Sequence, residues 1–330
     1  MKNLIGKEED GKKELYHRES LAKLRRLQAL SLEEKIEQSI IRIREWYEAW
    51  DGSVFGAFSG GKDSTVMMDI IWKVYPDIPA VFYNTGLEFP EITSFVKKLT
   101  ETHPIEVIRP DMPFHEVVNK YGYPVISKKM SLYISQVQTA RDPNSATVKL
   151  RLKGINSKGE FSQIEKISKK WQFLCYSGTK ISNKCCDILK KGPSQKYIKM
   201  SGRQAPFVGI MASDGGQRTL TYLKYGCNAF DSKTPRSWPL SFWNEKDIWN
   251  YIKKYKLPYS KIYELGYPGT GCMFCMYGVH IQQLVSGTNR FIMMKKTHPK
   301  QYDYCINKLG LGKVLELIRV PYGEPFKFGY

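Results

Sequence analysis

The chain has 330 residues, of which 42% are hydrophobic, and its 51 lysines and arginines against 32 aspartates and glutamates give a formal net charge of +19. A chain of this length and apolar content can bury a sizeable core, so we expect one large α/β domain with elaborations. No apolar stretch reaches membrane-spanning length, and the N-terminus has no signal-peptide pattern, which excludes a membrane role and predicts a soluble, cytoplasmic protein. The charge favours a polyanionic partner, the alternative being a generally basic, solvated surface.

Residues 1–50 are expected to form an N-terminal helical segment, because leucines and isoleucines recur at helical spacing from residue 18 onward. Apolar runs at 54–58, 80–86 and 105–110 then predict three strands separated by helical stretches. Strands that alternate with helices indicate an α/β fold, a doubly wound parallel sheet with helices on both faces. Ligands of such sheets bind at the carboxyl ends of the strands.

The stretch VFGAFSGGKDSTVMMDI, residues 54–70, predicts a strand, a tight loop and a helix. Two glycines let the backbone approach a ligand closely, and the first turn of a helix offers free N–H groups to an anion. Lys62 adds a full charge, and Ser59 and Ser64 supply hydroxyl donors. We therefore predict a phosphate site here rather than a simple glycine turn with a solvated lysine.

The loop does not match the Walker pattern; it resembles the PP-loop of the ATP pyrophosphatases, a fold shared by adenylating synthetases, tRNA-thiolating enzymes and reductases of phosphoadenosine phosphosulfate (PAPS). The resemblance implies that the loop binds the phosphates of ATP or of an adenylyl sulfate. The residues carried over are Ser59, Gly60, Gly61, Lys62, Asp63 and Ser64. Of these, Lys62 and Asp63 are candidate catalytic residues, with Mg²⁺ on the departing pyrophosphate.

Two later motifs resemble those of the PAPS and adenosine phosphosulfate (APS) reductases. YNTGLEFPEI places Thr85, Gly86 and Glu91 where that group binds the nucleotide, and SWPLSFWNEKDIWNYI predicts an aromatic turn and an amphipathic helix. GIMASDGGQR resembles a degenerate anion-binding motif in which Met211 and Gly215 replace an arginine and a serine. Arg218 remains as the phosphate or sulfate ligand and as a third candidate catalytic residue.

The remaining sequence completes a three-part organisation. Residues 131–170 are polar, lysine-rich and weakly periodic, which indicates a partly helical insertion in a nucleotide-binding domain at 51–260. Residues 261–330 form a cysteine-containing helical C-terminal region. Residues 180–203 concentrate positive charge against Asp187 alone, in Lys180, Lys184, Lys190, Lys191, Lys196, Lys199 and Arg203.

Seven cysteines suggest metal or redox chemistry in a cytoplasmic chain. KCCDILKK supplies an adjacent pair and GTGCMFCMYG a C-x-x-C motif, and four thiolates suit either tetrahedral zinc or a [4Fe–4S] cluster. The order of the two motifs resembles the cluster ligands of iron–sulfur APS reductases. That resemblance favours a [4Fe–4S] cluster held by Cys185, Cys186, Cys272 and Cys275, with zinc as the alternative.

Cys305 is expected to be a buried structural thiol on a helix, and Cys227 to be the more exposed of the two; for Cys227 a structural role is favoured slightly over that of a substitute ligand or persulfide carrier, and Cys175 has no assigned role. Reductases of this group attack sulfur with a cysteine on the C-terminal tail, and this sequence ends RVPYGEPFKFGY. The reductase interpretation therefore lacks its nucleophile. ATP and a cluster together resemble the ATP pyrophosphatase of DNA-phosphorothioation systems (DndC and SspD type) and the cluster-dependent tRNA thiolases.

Three functions follow as hypotheses. The first is an ATP pyrophosphatase that inserts sulfur into a nucleic acid, with DNA favoured over RNA and a cysteine desulfurase as sulfur donor. The second is an APS or PAPS reductase that uses Cys227 or Cys305. The third is a nucleotide-binding regulatory protein whose cluster senses redox state.

Overall fold

A computed structural model describes residues 18–324, in which the chain forms two compact units. The first comprises residues 18–83, 90–108 and 195–264, and the second comprises residues 84–89, 109–194 and 265–324. These boundaries differ from the predicted ones at residues 50 and 260, and the three-part division stays a prediction. The parts of it that fall on residues 1–17 and 325–330 lie outside the described residues.

The first unit is built on a six-stranded sheet in the order β3-β2-β1-β5-β7-β6. All neighbouring strands are parallel except β6 and β7. The three strands predicted first are present, and the full set is β1 (Val54–Phe58), β2 (Ala80–Tyr83), β3 (Ile105–Ile108), β5 (Ala205–Val208), β6 (Asn228–Ala229) and β7 (Arg236–Ser237). The mostly parallel sheet, flanked by helices, confirms the predicted α/β class.

Helices connect these strands, as the alternating pattern predicts. Residues 18–28 are helical and form α1. The others of this unit are α2 (Leu32–Ala49), α3 (Lys62–Val74), α4 (Pro90–Leu99), α10 (Gly216–Tyr225) and α11 (Glu245–Tyr255), with most of α9 (Gly192–Ser201) and short 3₁₀ turns at Ala212–Asp214 and Lys261–Tyr263. The strand order turns back at β1, whose neighbours are β2 on one side and β5 on the other. The loop after β1 therefore lies at the switch point where doubly wound sheets bind ligands.

Helices α2 and α11 are joined by a buried ion pair. Lys35 Nζ lies 2.7 Å from Asp247 Oδ2, and the two side chains are 2% and 13% exposed. Asp247 also accepts a hydrogen bond from the backbone N–H of Asn244, the residue that caps α11. Beside the pair, Trp243 is fully buried and its indole N–H donates to Ser39 Oγ. The predicted aromatic turn before α11 is thus part of the core of this unit.

The second unit is mainly helical, with one two-stranded parallel sheet formed by β4 (Val125–Ile126) and β8 (Met276–Tyr277). Its helices are α5 (Phe114–Tyr121), α6 (Lys128–Gln138), α7 (Ala146–Lys153), a 3₁₀ helix at Lys169–Tyr176, α8 (Lys184–Cys186) with a π turn at Asp187–Lys191, α12 (Val279–Ser286), α13 (Arg290–Thr297), α14 (Pro299–Asp303) with a π turn at Tyr304–Lys308, and α15 (Leu311–Leu317). The segment 131–170 is partly helical, as its weak periodicity predicts. Across residues 18–324, no helix has both the length and the apolar character that crossing a membrane requires.

The buried ion pair generates a stability prediction. Replacing Lys35 by methionine leaves the Asp247 carboxylate buried without its partner, so we expect a loss of about 3–5 kcal/mol in the free energy of unfolding. The matched control is Lys254→Met, which breaks an exposed ion pair with Glu33 between the same two helices and should change stability little. Urea titration measures both variants, and equal losses would show that burial of the pair does not set its contribution.

Candidate functional site

The loop between β1 and α3 has the tight conformation that its sequence predicts. Gly60 has a φ of +69°, in the left-handed region that favours glycine. A Cβ at this position would lie 2.9 Å from methyl carbons of both Ile92 and Val96 on α4. On the other side, a Cβ at Gly209 would lie 3.0 Å from the backbone N and Cα of Ser64. The loop backbone is therefore packed against side-chain methyl groups of α4 on one side and against the backbone of Gly209 on the other, which leaves no room for side chains there.

Hydroxyl groups fix the loop internally. Ser59 Oγ and Ser64 Oγ are 3.1 Å apart, and the backbone N–H of Ser59 donates to Ser64 Oγ at 3.2 Å. Ser64 and Thr65 both donate their hydroxyls to the carbonyl of Gly61, at 3.0 and 2.9 Å. These bonds hold the start of α3 open toward the carboxyl end of β1, where the positive end of the helix dipole favours an anion.

Lys62 is held inside this site by groups that the sequence alone did not reveal. Its side chain is 6% exposed, and Nζ lies 3.2 Å from Asp63 Oδ1 and 3.4 Å from Glu245 Oε1. Its backbone N–H donates to the hydroxyl of Tyr263 at 2.8 Å. Glu245 and Tyr263 lie about 180 or more residues further along the chain, so no local motif marks them.

Asp63 and Arg218, the other predicted catalytic residues, belong to the same unit as the loop. Burial raises the pKa of Asp63, Lys62 opposes the shift, and the nearby carboxylate of Asp214 adds to it. Arg218, on α10, forms an ion pair with Asp214. Asp214 thus interacts electrostatically with both Arg218 and Asp63 of the loop. The guanidinium of Arg218 remains about half exposed.

The nucleotide-binding residues predicted from YNTGLEFPEI are divided between the units. Thr85 and Gly86 lie in the second unit, where the backbone N–H and the hydroxyl of Thr85 both donate to the buried carboxylate of Glu88, at 2.9 and 2.8 Å. Glu91 lies in the first unit, in the first turn of α4. In the second unit, the backbone N–H of Met273 donates to the carbonyl of Leu87, so this short segment lies against the C-x-x-C motif.

The four cysteines predicted as ligands all lie in the second unit and influence one another electrostatically. The hydrogen bond with Cys186 and burial together raise the pKa of Cys185, with further contributions from Cys272 and Cys275. The same hydrogen bond lowers the pKa of Cys186 to about 6, against burial and with help from Lys128. Burial raises the pKa of Cys275. The thiols of the two sequence motifs are thus close enough to influence one another's pKa.

Cations surround this group of thiols. Burial acts to lower the pKa of Lys190, but Cys272 and Glu88 outweigh it and the pKa is raised. Arg290 donates from Nη1 to the carbonyl of Cys272 at 2.9 Å and opposes the rise in the pKa of Cys275. Positive charge of this kind offsets the negative charge that four thiolates would carry. Within residues 18–324, no three His, Cys, Asp or Glu side chains are placed to hold a single metal ion.

The three remaining cysteines are all buried. Cys305 is fully buried, as predicted, in the π turn that follows α14, and burial raises its pKa. Cys227 was expected to be the more exposed of the two, but it is buried as well: it is 7% exposed and accepts a hydrogen bond from Ser241 Oγ at 3.2 Å. Burial raises its pKa as well, and raises that of Cys175 to about 11.

The basic run at 180–203 is continuous in sequence but not in the structure. Lys191 pairs with Asp187 at 3.2 Å, and Arg203 donates to the carbonyls of Gly52 and Val54. Lys180 and Lys184 belong to the second unit, whereas residues 195–203 belong to the first. The run is therefore divided between the two units.

Comparison with known proteins agrees with the sequence motifs. The family model of the phosphoadenosine phosphosulfate reductase domain matches residues 53–130 and 114–277. The adenosine 5'-phosphosulfate reductase of Staphylococcus haemolyticus is 26% identical over 237 residues, which are 71% of this chain and 74% of that protein. The corresponding reductase of Geobacillus thermodenitrificans is 25% identical over 232 residues, 69% of this chain and 75% of the relative.

The similarity of this chain to solved structures is weaker than its similarity to these reductases. The crystal structure of phosphoadenylyl-sulfate reductase from Candida auris, a phosphate complex, has a TM-score of 0.43 and 16% sequence identity, and the match covers 76% of this chain and 93% of that one. At this level the likeness carries no information about the site.

The tight packing of the loop generates a second prediction. Gly60→Ala places a side chain in a left-handed conformation and against α4, so it should lower the free energy of unfolding by about 1–3 kcal/mol. Gly216→Ala is the control, because its Cβ would meet nothing within 4 Å and alanine favours the helix that begins there. Thermal unfolding compares the two. Equal stability of Gly60→Ala and the parent protein would contradict the packing argument.

Proposed function

Because the chain belongs to the phosphoadenosine phosphosulfate reductase family, we propose that it is an ATP pyrophosphatase of that family that activates a nucleic acid for sulfur insertion. The observation that carries this proposal is the loop of Ser59, Gly60 and Gly61 at the start of α3. A packed loop that presents a helix N-terminus and a buried lysine is suited to a polyphosphate.

The proposed reaction has two displacements at phosphorus. An oxygen of the nucleic acid attacks the α-phosphorus of ATP, the bond to the bridging oxygen of the β-phosphate breaks, and pyrophosphate leaves. A sulfide-level nucleophile then displaces AMP, so sulfur replaces the activated oxygen and no oxidation state changes. Lys62 and the N-terminal turn of α3 stabilise the charge that develops on the departing pyrophosphate.

Mg²⁺ would reach this site on the phosphates of ATP. Such ions commonly take one or two protein carboxylates beside the phosphate oxygens. Asp63 Oδ1, which is buried 3.2 Å from Lys62 Nζ, is the oxygen that would serve as such a ligand. Arg218 would then serve as a second cation for the phosphates once it separates from Asp214.

The four cysteines of the second unit are the residues that would hold a [4Fe–4S] cluster. The resemblance of the two motifs to the cluster ligands of iron–sulfur APS reductases supports a cluster, with zinc as the alternative for four thiolates. When bound, a cluster of this kind would supply a site for sulfur.

A nucleic acid is the proposed acceptor because the net charge of +19 favours a polyanion, and contacts from Lys and Arg to phosphates dominate such affinity. DNA is preferred over RNA because of the resemblance to the phosphorothioation enzymes. A cysteine desulfurase would supply the sulfur as a persulfide, and a thiol reductant would supply the two electrons that release it as sulfide.

The names of the relatives favour a second candidate function, the reduction of adenylyl sulfate with release of sulfite. That reaction needs a reactive thiolate. Cys227 and Cys305, the residues considered for it, are buried and have raised pKa values. Burial of a thiol in apolar surroundings suppresses its reactivity, so this function is the weaker of the two.

Replacement of Lys62 tests the nucleotide site. Lys62→Ala removes a charged partner from a largely desolvated site, so ATP affinity should fall by about 1.5–3 kcal/mol and pyrophosphate release should be lost. Lys73→Ala is the control, because Lys73 lies at the far end of the same helix and is half exposed. Unchanged ATP affinity in Lys62→Ala would refute the assignment of the loop.

The same assays separate the functions. Pyrophosphate release from ATP that increases on addition of nucleic acid supports the first function. Sulfite release from APS or PAPS, without that increase, supports the reductase. A protein that binds nucleotide and shows neither activity would be regulatory.

Metal analysis tests the cysteine site. Protein prepared without oxygen should contain about four iron and four sulfide per chain, and serine at any one of the four predicted ligands should lose or convert the cluster. Cys227→Ser is the control, since a serine there keeps a hydroxyl beside Ser241 and should leave the iron content unchanged. Stoichiometric zinc without sulfide would contradict the cluster.

A further inference from the structure

The second unit contains a cleft that none of the motifs marks. It has a volume of about 650 Å³ and lies between the end of α5, one side of α6 and the segment 175–184. Three lysines line it, Lys120, Lys180 and Lys184, and all three are exposed. No carboxylate contributes to its lining among the described residues. A cleft of this size, lined by cations and by no carboxylate among the described residues, is suited to an anionic ligand.

Neutral groups complete the lining with the chemistry of a nucleotide site. Ser135 and Thr139 supply hydroxyls to the lining, and such groups bind phosphate and sugar oxygens in nucleic-acid complexes. Two tyrosines also line the cleft. Tyr176 is 73% exposed, whereas Tyr121 is partly buried and has Lys120 Nζ 5.4 Å from the centre of its ring. The exposed ring of Tyr176, in a cleft that cations line, is the kind of surface on which unpaired bases stack.

The wall of the cleft is fixed rather than a free loop. The side-chain amide of Gln138 donates to the carbonyls of Leu174 and Thr179, both at 2.9 Å, and accepts from the backbone N–H of Ile181 at 3.0 Å. The backbone N–H of Tyr123 donates to the carbonyl of Lys180 at 2.9 Å. Four hydrogen bonds thus hold the segment that carries two of the lysines and Tyr176, which lowers the entropic cost of binding.

The segment 175–184, which forms this wall, is followed directly in the chain by the cysteine pair. Ser182 Oγ accepts a hydrogen bond from the backbone N–H of Lys184, the first residue of α8, and Cys185 and Cys186 follow. Lys184, at the end of the cleft lining, is thus the residue that directly precedes the first proposed cluster ligand in the chain.

We propose that this cleft, lined by Lys120, Lys180, Lys184 and Tyr176, binds an unpaired stretch of the acceptor nucleic acid. The lysines contact successive phosphates and Tyr176 stacks on a base. Stacking requires a base that is not paired within a duplex, so the acceptor at this site is single-stranded or locally opened. The inference rests on the proposed function and adds the strandedness of its substrate and the surface that holds it.

The experiment measures binding of a fluorescent single strand, and of the duplex of the same sequence, across a salt series. The parent protein should bind the single strand more tightly than the duplex. Lys120→Gln/Lys180→Gln should flatten the log–log salt slope by about 1.4, since each phosphate contact contributes about 0.7. Lys184 is left intact so that the cysteine pair is undisturbed, and iron content checks this.

The stacking contact is tested separately. Tyr176→Ala should weaken single-strand binding by about 5- to 150-fold, and Tyr176→Phe, which keeps the ring, should restore it. The control Lys300→Gln/Lys313→Gln removes two exposed lysines of the same unit outside the cleft. It should keep the single-strand preference, and its log–log salt slope should be steeper than that of Lys120→Gln/Lys180→Gln.

The outcomes distinguish this inference from the proposed function. If the parent protein binds nucleic acid and the cleft variants bind it equally well, the cleft is refuted and the proposed function stands. Tighter binding of duplex than of single strand would also overturn the inference. If the cleft variants instead lose affinity for APS, the site is one for a small sulfonucleotide. No binding of any nucleic acid would refute both proposals.

Discussion

The first unit depends on the close packing of the loop that follows β1, whose backbone meets side-chain methyl groups on one side and another backbone segment on the other. Gly60 leaves no room for a side chain against α4, and Gly209 leaves none against the start of α3. Because β1 occupies the position where the strand order turns back, this contact places the N-terminus of α3 in the crevice at the carboxyl end of the sheet. The position of Lys62, and of the acidic groups around it, follows from that packing.

The two units differ in the groups that supply their positive charge. In the first, backbone N–H groups and one buried lysine create a positive site from few residues. In the second, four thiols are gathered among cations such as Lys128, Lys190 and Arg290. Buried thiols resist ionisation, and the cations lower the cost of the ionised state. Positive charge thus comes from the helix N-terminus and a buried lysine in the first unit, and from lysine and arginine side chains in the second.

Local sequence patterns were enough to predict much of the first unit. The periodicity of residues 18–50, the three early strands and the helix at Glu245–Tyr255 all appear in the structure. The contacts of Lys62 with Glu245 and Tyr263 could not be predicted, because they join residues about 180 or more positions apart through tertiary packing. The burial of Cys227 was not predicted, for a related reason. A cysteine between glycine and asparagine is typical of an exposed turn, and only the tertiary structure shows that Ser241 contacts it.

The hydroxyl of Tyr263 occupies a backbone donor that an incoming phosphate would also use. Burial raises the pKa of this tyrosine, so it remains a neutral acceptor. It behaves as an internal competitor: a phosphate oxygen that takes the Lys62 N–H must first break an existing hydrogen bond. The measured phosphate affinity is then lower than the affinity for a free donor, because the Lys62 N–H must first leave Tyr263. The reduction is set by the fraction of time that the donor is occupied. Since an anion attracts that N–H more strongly than a neutral hydroxyl does, the exchange discriminates in favour of charged ligands.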